Sequence, residues 1–474
     1  MARVDLAGFN VDADLLHELA SDGSGREDLT PETLSAAYAR ISRDPRPVGE
    51  LRRASRAQVE KARAANERIV FGLGHASVAE HAVFNFDVLE LSRLAIEALE
   101  AHRLASYTEK SQRYIRLGED FAIPAEVRAK GLVGPFSEFV SRAFSRYALL
   151  VARLMATGIP DKLAGEDARY VLPLAVHGQL GMTCNARSLE HLILRLSASP
   201  LAEVQELATL LLTVTQPVAP SLLRYVRPGP YHLLRDAEVA RVVRDLVPPR
   251  PRDPDPAPEA VLPVGSVRLV DCTPDGDSRI LAGLAVPALR TDYASALAAV
   301  QDLSAGDRDR LYDAVTARLG PHDALPREFE QAGLTFEVVL SAAAFGQLKR
   351  HRMSSLTSWP YDAGLGVTVP PAIAEAGLSD VLREGAEEAE AMAARLGGPD
   401  DPVSAYALLN AHRRRCLWTL NLREFYHVSR LREDEHAQWD IRFLTAAMSD
   451  LVRSAFPLCS RHLGGKDRFT GPTG

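Results

Sequence analysis

Two stretches of this chain carry the same chemistry-bearing residues at the same spacing. Thr183-Cys184-Asn185-Ala186-Arg187 is followed by His191, and Thr419-Leu420-Asn421-Leu422-Arg423 by His427. Asparagine is a good helix N-cap, so Asn185 and Asn421 are expected to open helices. Arg and His four residues apart then share one helix face. The first amides of a helix point outward with aligned dipoles, and a guanidinium beside them makes an anion site. In the second stretch that face continues to Arg432, with His436 one turn further on. A capped helix with a solvated Arg and a half-buried His would give these residues once. The recurrence of all four favours a ligand site.

A denser segment runs from His102 and Arg103 through Ser106, Glu109 and Ser111 to Arg113 and Tyr114. If it is an extended strand, Glu109, Ser111 and Arg113 point the same way. A carboxylate, a hydroxyl and a guanidinium on one face can hold a sugar hydroxyl and a phosphate together. A surface strand with one ion pair is the plainer alternative. Upstream, His75, Ser77, Glu80 and His81 lack the tighter spacing and additional ligands that zinc requires, so no metal is expected there.

The elements that must position these residues are themselves repeated. Val4-Asp5-Leu6 and Val267-Arg268-Leu269-Val270 each alternate like a strand and end in turn residues. Phe84, Phe86 and Val88 precede a helix-length run that ends at His102-Arg103, with Ser106 beyond it. Phe336, Val338 and Leu340 precede another that ends at His351-Arg352, with Ser355 beyond it. Long amphipathic helices are expected over 201–225 and 437–456. Between the copies, Val247 to Pro263 is rich in proline, which fixes φ and lacks the amide donor, so an extended linker is expected. The resulting organisation is a first domain over 1–235, a linker over 236–265 and a second domain over 266–474.

The 474 residues, 46% hydrophobic and 25% charged, suit a chain with a real core, and the net charge of −7 disfavours a general nucleic-acid binder. No apolar run reaches the roughly 18 residues of a membrane helix, and the N-terminus lacks the apolar run of a signal peptide. Cys184, Cys272, Cys416 and Cys459 form no C-x-x-C pair, which fits reduced structural thiols in a cytoplasmic protein.

At these residues the chain resembles the flavin-dependent thymidylate synthases, whose signature reads Arg-His-Arg-x-x-Ser-x-Asn-Glu-x-Ser-x-Arg-Tyr. The first copy matches it from His102 to Tyr114, with Ala101 for the leading Arg and Thr108 for Asn. The second matches its opening at Arg350-His351-Arg352 through Ser355, then loses the Glu, Ser and Arg. Ala168-Arg169-Tyr170 and the run from Asn421 through Arg432 to Arg442 are similar to the family too.

The resemblance implies an α+β fold: two tandem copies of a domain with helices packed on a mixed or antiparallel sheet. It implies transfer of a one-carbon unit from methylenetetrahydrofolate to C5 of deoxyuridylate, with FAD as cofactor and NADPH as reductant. By resemblance, Glu109, Ser111 and Arg113, with Arg169, Gln347 and Arg350, hold the nucleotide. His75, Ser77, Glu80, His102, Arg103, Asn185, Arg187, His191, Arg352, Asn421, Arg423 and His427 line the flavin. Arg432 is the catalytic residue, stabilising negative charge on the uracil ring.

The copies depart from the family at different places. The first has Ala98 and Ala101 where the second has Gln347 and Arg350, and its Arg195 falls one residue short of a match to Arg432. The second has Tyr406 near the place of Arg169. The expectation is that they act as fused, complementary subunits and form a homodimer, with no nucleic-acid or membrane partner. Another uridine as the methylated substrate, or a non-catalytic paralogue that only binds flavin or nucleotide, stays open.

Overall fold

The computed structural model describes residues 2–16, 29–113, 115–248, 266–320 and 322–468. Most of the proline-rich run, 249–265, and Tyr114 of the signature lie outside the described residues. The chain forms two compact units that do not follow the repeat boundary. One comprises Met1–Ser141, Leu174–Arg252 and Met392–Ala407; the other comprises Arg142–Pro173, Asp253–Ala391 and Leu408–Gly474.

Each unit is built on one four-stranded antiparallel sheet. In the first, β1 (Arg3–Phe9), β2 (Val83–Ser92), β3 (Ser106–Glu109) and β4 (His177–Asn185) lie in the order β1-β2-β4-β3. In the second, β5 (Ser266–Cys272), β6 (Gly333–Ser341), β7 (Ser355–Tyr361) and β8 (Arg413–Asn421) lie in the order β5-β6-β8-β7. The pairing at the end of the central strands repeats: Val83 faces Asn185 and Gly333 faces Asn421. The first strand of each sheet shifts register once against its neighbour, β1 between Leu6 and Gly8 and β5 between Leu269 and Asp271. The α+β architecture with antiparallel sheets is the one expected.

Alternation along the strands sets one face inward. Phe84, Phe86 and Val88 of β2 are buried, as are Leu180, Met182 and Cys184 of β4 and Leu189, Leu192 and Ile193 of the helix Ala186–Ser197. Phe336, Val338, Cys416, Trp418 and Leu420 do the same in the second unit, with Phe425 and Val428. Full burial of each large side chain contributes roughly 1.5–3 kcal/mol. All four cysteines are free thiols.

Two helices differ from expectation. The run expected over 201–225 is helical only from Ala202 to Thr215. Pro217 and Pro220 lack the amide donors that the next turn would need. The interval 236–265 does not begin as extended chain, because the helix Pro230–Leu246 runs through its first part.

Candidate functional site

In the second unit, two helix caps place the site. Ser341, the last residue of β6, accepts a hydrogen bond from Ala344 N at 3.0 Å and opens the helix Ala342–Leu348, which delivers Gln347 in its final turn. Asn421, the last residue of β8, accepts from Glu424 N at 2.9 Å and opens the helix Leu422–Arg432. Arg432 ends that helix and turns back to the first. Its Nη1 donates to Gln347 Oε1 at 2.9 Å, its Nη2 to Gln347 O at 3.1 Å, and its Nε to His351 Nε2 at 2.9 Å.

His351 is buried, with Nδ1 3.8 Å from Glu424 Oε1. Burial first, then Arg432 and His427, holds the imidazole well below its ordinary range, so it is neutral. Burial also raises the Glu424 carboxyl. Arg350 Nε donates to Gly346 O at 3.2 Å, and Arg352 is exposed. Arg169 belongs to this same compact unit although it comes from the first repeat. It is buried, donates to Glu166 O at 3.1 Å, and its own carbonyl accepts from Asn410 Nδ2 at 3.0 Å.

A cavity of about 510 Å³ opens beside the Asn421 cap, lined by Leu325, Arg327, Glu330, Arg423, His427 and Lys466 among others. Arg423 donates to Leu325 O at 2.6 Å and to Glu330 Oε1 at 3.2 Å. The volume is that of a small-molecule site, and the donors along its wall fit a cofactor with polar ring edges and phosphates.

The first unit repeats this frame with changes. Ser92 caps the helix Arg93–Glu100, accepting from Ala95 N, and Asn185 caps the helix Ala186–Ser197, accepting from Ser188 N at 2.8 Å. Arg187 pairs with Glu80 at 2.5 Å, as Arg423 does with Glu330. His75 lies 3.4 Å from the Arg43 guanidinium. Ser77 is exposed on the short 3₁₀ helix that begins at Ala76; His191 and Arg103 are exposed as well. Counting back from Val83 and Gly333, which each face the capping Asn, Leu325 and Arg327 occupy the places of His75 and Ser77.

Two sequence readings need correction. Glu109, Ser111 and Arg113 do not share one strand: β3 ends at Glu109, and Arg113 N donates to Ser111 Oγ at 3.1 Å, a local turn that competes with strand pairing. Glu109 instead lies 3.8 Å from Arg93, both side chains buried. Second, Arg195 does reach the position that its register had put in doubt. Its Nη2 donates to Ala98 O at 2.8 Å, and Ala98 lies as far beyond its Ser cap as Gln347 does beyond its own. The long side chain absorbs the one-residue offset. Burial first, then Arg195 and His191, lowers His102 to about 4. The roles of His351, Glu424 and Arg195 here lie beyond what the sequence motifs assign; the parallel between His102 and His351 is the signal in the sequence that points to them.

Fold and site thus define a duplicated α+β protein with an arginine-centred polar site on a capped helix pair. The family model described as thymidylate synthase complementing protein matches residues 27–221 and 268–458, and the chain belongs to that family. A flavin-dependent thymidylate synthase of Geobacter sulfurreducens is 35% identical over 164 residues, 34% of this chain and 68% of that one. One of Sulfurisphaera tokodaii is 34% identical over 162 residues, 33% of this chain and 59% of its own length. The match therefore spans only part of each relative. A crystal structure of a UMP/dUMP methylase PolB from Streptomyces cacaoi bound with 5-Br dUMP covers 47% of this chain and 93% of its own, at 20% identity and a TM-score of 0.35.

Proposed function

We propose that the chain is a flavin-dependent thymidylate synthase that methylates C5 of deoxyuridylate, taking the carbon from methylenetetrahydrofolate and electrons from NADPH. The observation that carries this reading is the clamping of Arg432 by Gln347 and His351. C5 of uracil is a weak nucleophile until negative charge on the N3–C4 region is stabilised. A fixed, permanently charged guanidinium does this without reorganising during the reaction. Glu109, Ser111 and Arg113 would take the ribose and phosphate, with Arg169, Gln347 and Arg350. Asn421, Arg423 and His427, and Asn185, Arg187 and His191 with His75, Ser77, Glu80, His102, Arg103 and Arg352, would hold the flavin. A bound flavin supplies the redox step and carries the one-carbon unit. No thiolate nucleophile is required; burial pushes the Cys184 thiol up to about 12. A homodimer is the proposed assembly.

The test is direct. The purified protein should show a flavin absorbance spectrum and should form thymidylate when given deoxyuridylate, methylenetetrahydrofolate and NADPH. A colourless protein that takes up no added flavin overturns the reading.

A further inference from the structure

We propose that His351 is a positioning residue that fixes the plane of the Arg432 guanidinium. The inference rests on the role proposed for Arg432. An Nε–H group can be accepted only by an unprotonated ring nitrogen, so the 2.9 Å contact from Arg432 Nε puts the imidazole proton on Nδ1. That nitrogen faces Glu424, 3.8 Å away. The ring is only 5% exposed, with Trp418 at 6.1 Å and His427 at 5.9 Å between centroids. Its backbone is tied as well: Ser354 Oγ donates to His351 O at 2.6 Å, and Trp418 Nε1 donates to Ser354 Oγ at 2.8 Å. A side chain locked in this way can hold another within the small angular tolerance that catalysis needs.

Gln347 by itself does not define the plane so well. It meets the two terminal nitrogens through one side-chain and one backbone oxygen, whereas His351 takes the third nitrogen and removes rotation about the remaining axis. The first unit supplies an internal comparison. Arg195 there reaches backbone carbonyls, Ala98 has no side-chain oxygen to offer, and His102 Nε2 is buried without a hydrogen-bond partner among the described residues. The three-point clamp is assembled at Arg432 and not at Arg195.

The test compares two polar replacements in the full-length, flavin-loaded protein. The amide oxygen of Gln reaches the place of Nε2; that of Asn does not. His351→Asn should lower kcat about 100-fold, the scale of a misplaced catalytic group, while KM and the dissociation constant for deoxyuridylate stay within about twofold. His351→Gln should restore kcat to within about fivefold of wild type, with both variants melting cooperatively. Equal losses in the two variants, or an unchanged kcat in His351→Asn, overturn the proposal. An Arg432→Ala control separates the two ideas: if it keeps turnover, the role of Arg432 itself fails. If it loses turnover while His351→Asn does not, only the positioning role fails.

Discussion

Tyr170 donates its phenolic hydrogen bond to Asp440 at 2.8 Å, and Tyr406 donates one to Glu203 at the same distance. The two arrangements correspond residue by residue. Ser341 Oγ donates to the same Asp440 oxygen at 2.5 Å, and Ser92 Oγ to the same Glu203 oxygen at 2.6 Å. Each compact unit takes its Ser and its carboxylate from one repeat and its Tyr from the other. Tyr406 is thereby the counterpart of Tyr170, and Ala405 holds the place of Arg169. Removing the Tyr170 hydroxyl leaves a fully buried carboxylate short of a donor. Tyr170→Phe should therefore destabilise by about 1–3 kcal/mol. Tyr406→Phe should cost less, because Glu203 is only half-buried. Urea unfolding of both variants checks the order.

Burial raises the Asp440 carboxyl to about 6 from an ordinary value of 3.8, against the bonds from Ser341 and Tyr170. A raised acid pKa means that the folded state holds the proton more tightly than the unfolded chain. Below about pH 4 both states are protonated and the group contributes nothing. Between about pH 4 and 6 the unfolded chain ionises while the folded state keeps its proton, so stability falls, and above 6 the penalty is complete at about 3 kcal/mol, from roughly two pKa units. Asp440→Asn cannot ionise. Its stability relative to wild type should therefore increase between pH 4 and 6 and level off above. A difference that is flat with pH contradicts the assignment.

Much of the frame was legible because its signals are local. Asn185 and Asn421 cap helices as their type and position imply, and the alternating Phe84-Phe86-Val88 and Phe336-Val338-Leu340 runs are strands with those residues inside. The rest depends on partners distant in sequence. Nothing near Tyr170 announces Asp440, 270 residues away. The end of β3 is not legible because alternation continues through Ser111 and Arg113, while the Ser111 hydroxyl takes a local backbone amide instead. The register of Arg195 is one residue short of that of Arg432, yet an arginine is long enough to reach its carbonyl from one residue earlier.

The complementary losses in the two repeats predict the behaviour of two single variants. The first repeat keeps Glu109, Ser111 and Arg113, and the second keeps Gln347 and Arg350. If each supplies what the other lacks, Arg113→Ala and Arg350→Ala should each weaken deoxyuridylate binding at least about 100-fold, the scale of losing a charge-assisted phosphate contact from a desolvated site. Equilibrium dialysis with labelled nucleotide measures this. Tight binding in either variant would show that the nucleotide does not need both repeats.

Arg432→Lys asks what the guanidinium does beyond carrying charge. Lysine keeps the positive charge but cannot donate to Gln347 and His351 in one plane. If field strength at the uracil ring were sufficient, the variant would retain most of its activity. If the oriented fork is what stabilises charge on N3–C4, kcat should fall about 10²–10³-fold, the loss typical of removing one preorganised donor. Nucleotide affinity should change little, because phosphate and ribose are assigned to other residues. The flavin spectrum should also persist, because the cavity wall of Arg423, Glu330 and His427 is untouched. Single-turnover formation of thymidylate, measured beside the absorbance spectrum, distinguishes a slowed chemical step from a lost cofactor.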